Sequence, residues 1–162
     1  MSYIIGITPS KVWTSTEIPP FRPGQRGKDD DGNEYLFVQA DASGVTQYYA
    51  AVVTTTAFVV DMIDTTNSAP GAQAGGIVCV PQVAIAASGY GWGLINGVGS
   101  VRTAASAAKG TLLNTTATAG QLDDDATAGA EVINGIALTA ATGGAAASTV
   151  AYLTYPSVGR TL

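Results

Sequence analysis

The stretch from Gly89 to Pro156 does most to narrow what this chain can fold into, because apolar, β-preferring runs alternate there with single and paired glycines. It opens Gly89-Tyr90-Gly91-Trp92-Gly93-Leu94-Ile95-Asn96-Gly97-Val98-Gly99 and passes through Val132-Ile133-Asn134-Gly135-Ile136-Ala137-Leu138. A Gly143-Gly144 turn then leads to Thr149-Val150-Ala151-Tyr152-Leu153. Short strands separated by glycine turns predict a closed or sandwiched all-β domain, that is, a small β-barrel or β-sandwich. Glycines inside such strands let them bend at barrel corners or approach one another closely.

The pattern extends upstream. Glu34-Tyr35-Leu36-Phe37-Val38-Gln39-Ala40 is rich in aromatic and β-preferring residues and reads as a strand. Residues 48–63 are dominated by β-branched side chains and are too long for one strand, which predicts a bend or two strands. Residues 65–76, with Asn67, Pro70, Gly71, Gly75 and Gly76, form a loop. Further strands are expected at 77–86, 91–96, 98–103, 110–115, 132–138 and 149–155. The alanine-rich stretches 104–109 and 140–147 carry no amphipathic stripe, so both are read as turns or loops rather than helices.

The first 33 residues differ in kind. Pro9, Pro19, Pro20 and Pro23 exclude a long regular element. Ile4, Ile5, Ile7, Val12, Trp13, Ile18 and Phe21 are nevertheless costly to leave in water. Two readings stand: an extended arm that buries these side chains on a neighbouring molecule, or a strand or loop packed on its own domain. The arm is carried forward, giving an extended N-terminal arm over 1–33 and an all-β body over 34–162.

Charge sharpens the expectation of assembly. Charged residues make up 12% of the 162-residue chain, against about 25% in ordinary soluble domains. So little charge makes a poor free surface, since solubility rests on interspersed charge. The net charge is −5, yet Lys11, Arg22, Arg26 and Lys28 place four of the seven basic residues in the first 28 positions. The acidic remainder lacks the charge that nucleic-acid binding needs to neutralise phosphates. A cationic segment beside an acidic body suits protein docking. The start of the sequence shows no basic, long-apolar signal segment and no run long enough to span a membrane, so the expectation is a protein made in the cytoplasm.

The residues also limit the chemistry. The chain has no histidine, which removes the commonest general base and metal ligand. Its single cysteine, Cys79, lies in an apolar run and reads as a buried structural thiol. Cys/His zinc sites are thereby excluded. Asp29-Asp30-Asp31 and Asp123-Asp124-Asp125 sit among turn residues and read as solvated loop tips rather than a carboxylate pair for hydrolysis. The alternation of Asp29, Asp31 and Asn33 resembles the start of a calcium loop, but the glycine falls early and no glutamate closes it. No enzyme activity and no cofactor are expected. The aromatics Tyr48, Tyr49, Tyr90 and Trp92 are candidates for inter-subunit contact or for a sugar-stacking platform.

Three pieces, taken in order, resemble the decoration, or cement, proteins of tailed-bacteriophage capsids. The first is the Gly89–Gly99 phrase with its Gly-Trp strand. The second is Lys109-Gly110-Thr111-Leu112-Leu113 followed by Ala119-Gly120-Gln121-Leu122. The third is Ile133-Asn134-Gly135-Ile136-Ala137-Leu138 leading to Val150-Ala151-Tyr152-Leu153. The similarity covers about the last 75 residues; the proline-rich start departs from it. The resemblance implies a non-enzymatic virion protein on the capsid exterior, a homotrimer that binds the major capsid protein and ties neighbouring capsomers together.

The reading at this point is a capsid-stabilising structural protein. Its body is the barrel, and its arm contacts the shell through Trp13, Ile18, Phe21, Arg22 and Arg26, since aromatics and arginines dominate interface energy. Removing residues 1–28 should then abolish shell binding and leave the body folded. The alternatives are a glycan-binding or adhesive module on the same virion and a tail or baseplate structural protein.

Overall fold

The computed structural model describes residues 4–159; the first three residues of the expected arm and the last three of the expected body lie outside the described residues. The described chain is all-β: β1 (Ile4–Ile5), β2 (Arg26–Lys28), β3 (Glu34–Ala40), β4 (Ala51–Val53), β5 (Val59–Met62), β6 (Val78–Pro81), β7 (Tyr90–Thr103), β8 (Leu113–Thr115), β9 (Leu122–Asp123), β10 (Val132–Leu138) and β11 (Ala147–Val158).

The pairings close twice around β7. In the first circuit β3 pairs with β5, β5 with β4, β4 with β6, β6 with β7, and β7 with β3, which makes a closed five-strand barrel. In the second, β7 pairs with β11, β11 with β10, β10 with β8 and β8 with β9. The single parallel pair Thr103↔Leu122 returns β9 to β7. The first half of β7, from Tyr90 to Asn96, lies against β3, and the second half, from Asn96 to Thr103, lies against β11.

Two strands were expected where β7 runs unbroken for 14 residues. Gly97 explains the difference. Its φ of 121° is closed to ordinary side chains, and a Cβ there would collide with the Asn33 side chain. Asn33 Oδ1 accepts a 3.0 Å hydrogen bond from the Val98 amide, so the backbone twists at Gly97 without stopping. The glycine marks the handover from one circuit to the other. Elsewhere, the long 48–63 segment divides into β4 and β5 as its length requires, with Phe58 at a φ of 57° in the turn between them.

Side chains alternate across each strand. One face of the first circuit buries Leu36, Val38, Val53, Val60, Cys79 and Ile95 in a single cluster. Packing between the paired strands β6 and β7 is tight: a Cβ on Gly93 would stand 2.5 Å from Cys79 Sγ. The alternate residues, including Phe37, Val52, Val80, Trp92 and Leu94, join a second cluster that continues into the other circuit through Val101, Leu113, Leu122, Ile133 and Leu153.

The N-terminal segment is not an arm that leaves its own body. β1 pairs in parallel with β2, and β2 pairs antiparallel with β3. The expected boundary at residue 33 therefore falls inside the β2–β3 turn. Between β1 and β2 the chain lies across the first barrel. Trp13 and Tyr90 exchange backbone hydrogen bonds of 2.9 and 2.8 Å, and the Gly24 amide donates to the Phe37 carbonyl at 2.8 Å. The alternative weighed from the sequence, a segment packed on its own domain, describes these residues.

Candidate binding surface

The N-terminal segment is fastened by aromatic rings. Trp13 and Phe21 from the segment meet Phe37 of β3 and Trp92 of β7, with centroids 4.9–5.9 Å apart and edge-to-face angles. Each such pair adds about 0.5–1.5 kcal/mol beyond the area it buries. Tyr90 stacks on Phe37 at an interplanar angle of 8°.

This geometry bears on two expectations. Trp13 and Phe21 were expected to anchor the chain on a capsid, but their rings are half-buried against this chain's own core. Their aromatic surface finds Phe37 and Trp92 first, because those rings would otherwise face water. Trp92 was a candidate for inter-subunit contact or for a sugar platform, but it is 2% exposed and has no accessible ring face. Nor do the four aromatics share a surface. Tyr90 and Trp92 lie under the N-terminal segment, whereas Tyr49 packs beside Gly120 and carries the Arg102 guanidinium 5.8 Å over its ring. Tyr48, at a φ of 69°, donates its amide to the Pro81 carbonyl.

The remaining arm residues do reach the surface. Ile18 is 96% exposed, and the chain on either side holds it there. The Thr14 amide and hydroxyl donate to Glu17 Oε2 at 2.6 and 2.9 Å. The amide bond is the main cause holding the Glu17 carboxyl below its usual range. On the other side Pro19 and Pro20 restrict the backbone. Arg22 is exposed beyond them, with its amide donating to Gln25 Oε1 at 2.7 Å.

Arg26, exposed as well, joins a group whose other members, Lys28, Glu34 and Tyr155, sequence reasoning missed. In β11, three residues (154–156) stand opposite Gly135 alone, between the pairs Ile136↔Leu153 and Asn134↔Ser157. This bulge turns Tyr155 out at a φ of 53°. The Tyr155 hydroxyl donates to Glu34 Oε2 at 2.7 Å, and Lys28 Nζ lies 2.9 Å from Glu34 Oε1. Glu34 raises both the Tyr155 phenol and the Lys28 ammonium, mainly by hydrogen bonding. The Arg26 guanidinium lies 5.8 Å over the Tyr155 ring. A proline inside a strand marks a bulge, so Tyr155-Pro156 was the sequence signal for this feature.

Beneath the bulge is a cavity of about 210 Å³. Leu36, Phe58, Ile77, Val78 and Ile95 supply its apolar wall, and Arg26 and Tyr155 are its two exposed lining residues. The same two residues border a neighbouring open groove with Ile5, Lys28 and Glu34.

The carboxylate triplets serve their turns differently. Asp29 accepts hydrogen bonds from the Asp31 and Asn33 amides through Oδ1 and from Asn33 Nδ2 and the Tyr35 hydroxyl through Oδ2. Burial alone would raise its carboxyl, but these bonds outweigh burial and lower it. Asp123 is raised, chiefly by burial. Among the described residues no three His, Cys, Asp or Glu side chains converge as a metal set. Cys79 is buried, as its apolar run predicts, and burial pushes its thiol up to about 12. No family model, no curated protein and no solved structure matches this chain.

Proposed function

We propose that this chain is a structural protein of a bacteriophage virion that decorates the outside of the capsid shell and stabilises it by binding the major capsid protein, with three copies forming the working unit. The observation that carries the reading is Ile18, a fully displayed apolar side chain on a braced loop. That loop is fastened to the body by four packed rings. Holding an apolar residue in water is unfavourable unless something covers it, and a rigid loop loses little entropy when covered. The charge-poor composition and the three glycine-rich pieces from Gly89 onward support the same reading. Anything that binds only the expanded lattice stabilises it by mass action.

The test is co-sedimentation with expanded capsids, together with mass measurement by light scattering of the free and bound protein. Saturable binding is expected, and Ile18→Ser should weaken it by about tenfold, equivalent to about 1.4 kcal/mol of lost contact. Its thermal unfolding should match the parent's, because the side chain is exposed. A protein that leaves capsids unbound at every concentration refutes the proposal.

A further inference from the structure

We infer that the cavity beneath the β11 bulge receives one bulky apolar side chain of a partner polypeptide, and that Arg26 at its mouth binds a carboxylate adjacent to that side chain. The inference stands apart from the virion reading, since it concerns what the cavity selects, whichever protein carries the segment.

Three observations converge on it. The first is size and lining. An apolar cavity of roughly 150 Å³ admits a benzene ring, and this one measures about 210 Å³ with walls of Leu36, Phe58, Ile77, Val78 and Ile95. A phenylalanine or leucine side chain fits such a space and would be withdrawn from water there.

The second is charge. Among the described residues Arg26 makes no ion pair, and its contact is the face of Tyr155. Stacking on a ring holds a guanidinium in place without using its N–H donors. A carboxylate is the group that those donors recognise best, often through two parallel hydrogen bonds. Tyr155 is itself fixed, by its bond to the buried Glu34, so the mouth is set before a ligand arrives.

The third is continuity. The open groove that shares Arg26 and Tyr155 also includes Ile5 of β1, and among the described residues β1 is the terminal strand of the sheet. A terminal strand presents unpaired backbone groups to an extended chain. The site therefore accommodates a ligand that continues beyond the cavity, which a polypeptide does and a small acid does not.

Amide NMR shifts of the whole protein, titrated with short blocked peptides, test this. Peptides with Phe-Asp or Asp-Phe at their centre should shift Gly24, Arg26, Ile77 and Ser157. The Asn counterparts, and Gly counterparts lacking the ring, should bind about tenfold more weakly, the value of one charge-assisted contact or one buried ring. Arg26→Gln, at an exposed position, should erase the Asp-over-Asn preference and keep the preference for Phe. Ser157→Trp should close the mouth and remove binding. Absence of shifts at the lining residues overturns the inference, as does an unchanged Asp-over-Asn preference in Arg26→Gln. Binding of 3-phenylpropanoate as tight as that of the peptides overturns the polypeptide occupant.

Discussion

The two circuits that share β7 reach a packed interior by different chemistry. Both tryptophans and all three phenylalanines lie between Trp13 and Trp92, in or over the first circuit. Beyond residue 103 the only aromatics are Tyr152 and Tyr155, and both are exposed. The second circuit instead buries hydroxyls beside its aliphatic residues. Thr103 Oγ1 lies 2.6 Å from Thr142 Oγ1, which lies 3.1 Å from Thr149 Oγ1, and Thr115 Oγ1 donates to or accepts from Ser68 at 3.3 Å. Ring packing is tolerant in direction and large in energy, whereas a buried hydroxyl chain is small in net energy but costly when left half-made. The first circuit is therefore expected to carry more of the stability, and the second to depend more on satisfied geometry.

The largest effect should come from the rings. Phe37→Ala removes the residue that touches Trp13, Phe21, Tyr90 and Trp92 together, and should cost about 3–5 kcal/mol in denaturant unfolding. Thr142→Val, which leaves the Thr103 and Thr149 hydroxyls to each other, should cost about 1–2 kcal/mol. Equal losses would show that the two halves are not held by different means. The same rings bear on the truncation considered from the sequence. Deleting residues 1–28 would remove β1, β2, Trp13 and Phe21 and expose Phe37 and Trp92, so it would damage the body it was meant to spare.

A smaller effect tests the handover between the halves. Gly97→Ala places a Cβ against Asn33 at a φ that disfavours it, and should cost more than about 1 kcal/mol. If the two circuits then unfold at separate denaturant concentrations, β7 is what makes them one unit; a single shifted transition would place the coupling in the shared apolar cluster.

The smallest effect is electrostatic and has opposite signs in the two halves. Asp29 is lowered in the folded chain, so its stabilisation is present above the unfolded value of about 3.9 and is lost as pH falls through the lower folded value. Asp123 is raised, so its ionised form opposes folding at neutral pH, and that cost is relieved as pH falls through its folded value. Thermal unfolding between about pH 2 and 7 should show Asp29→Asn flattening the acid loss and Asp123→Asn raising stability at neutral pH. Matching slopes in both variants would remove this distinction.

Much of the secondary structure was legible because β periodicity and glycine turns are local. The 34–40 and 132–138 segments occupy β3 and β10 with the expected bounds, and the 65–76 loop lies where its turn residues put it. The contact residues were less legible. Trp13, Phe21 and Trp92 have the composition of an interface, but composition does not say whether a ring covers its own barrel or another molecule. Ile18 and Arg26 stay at the surface, and nothing local separates Ile18 from Ile7, which is 7% exposed.

The sequence alone determined that the chain would be all-β and poor in charge, and that histidine and paired-cysteine chemistry would be absent. Each of these follows from residue identity or from short-range spacing. Only the tertiary structure decided that one 14-residue strand serves two circuits, that the proline-rich start is laid over the first, and that a bulge 121 residues from Glu34 brings Tyr155 to it. Those outcomes depend on which buried faces meet across long separations, and the energy of that meeting belongs to pairs of segments rather than to either segment by itself.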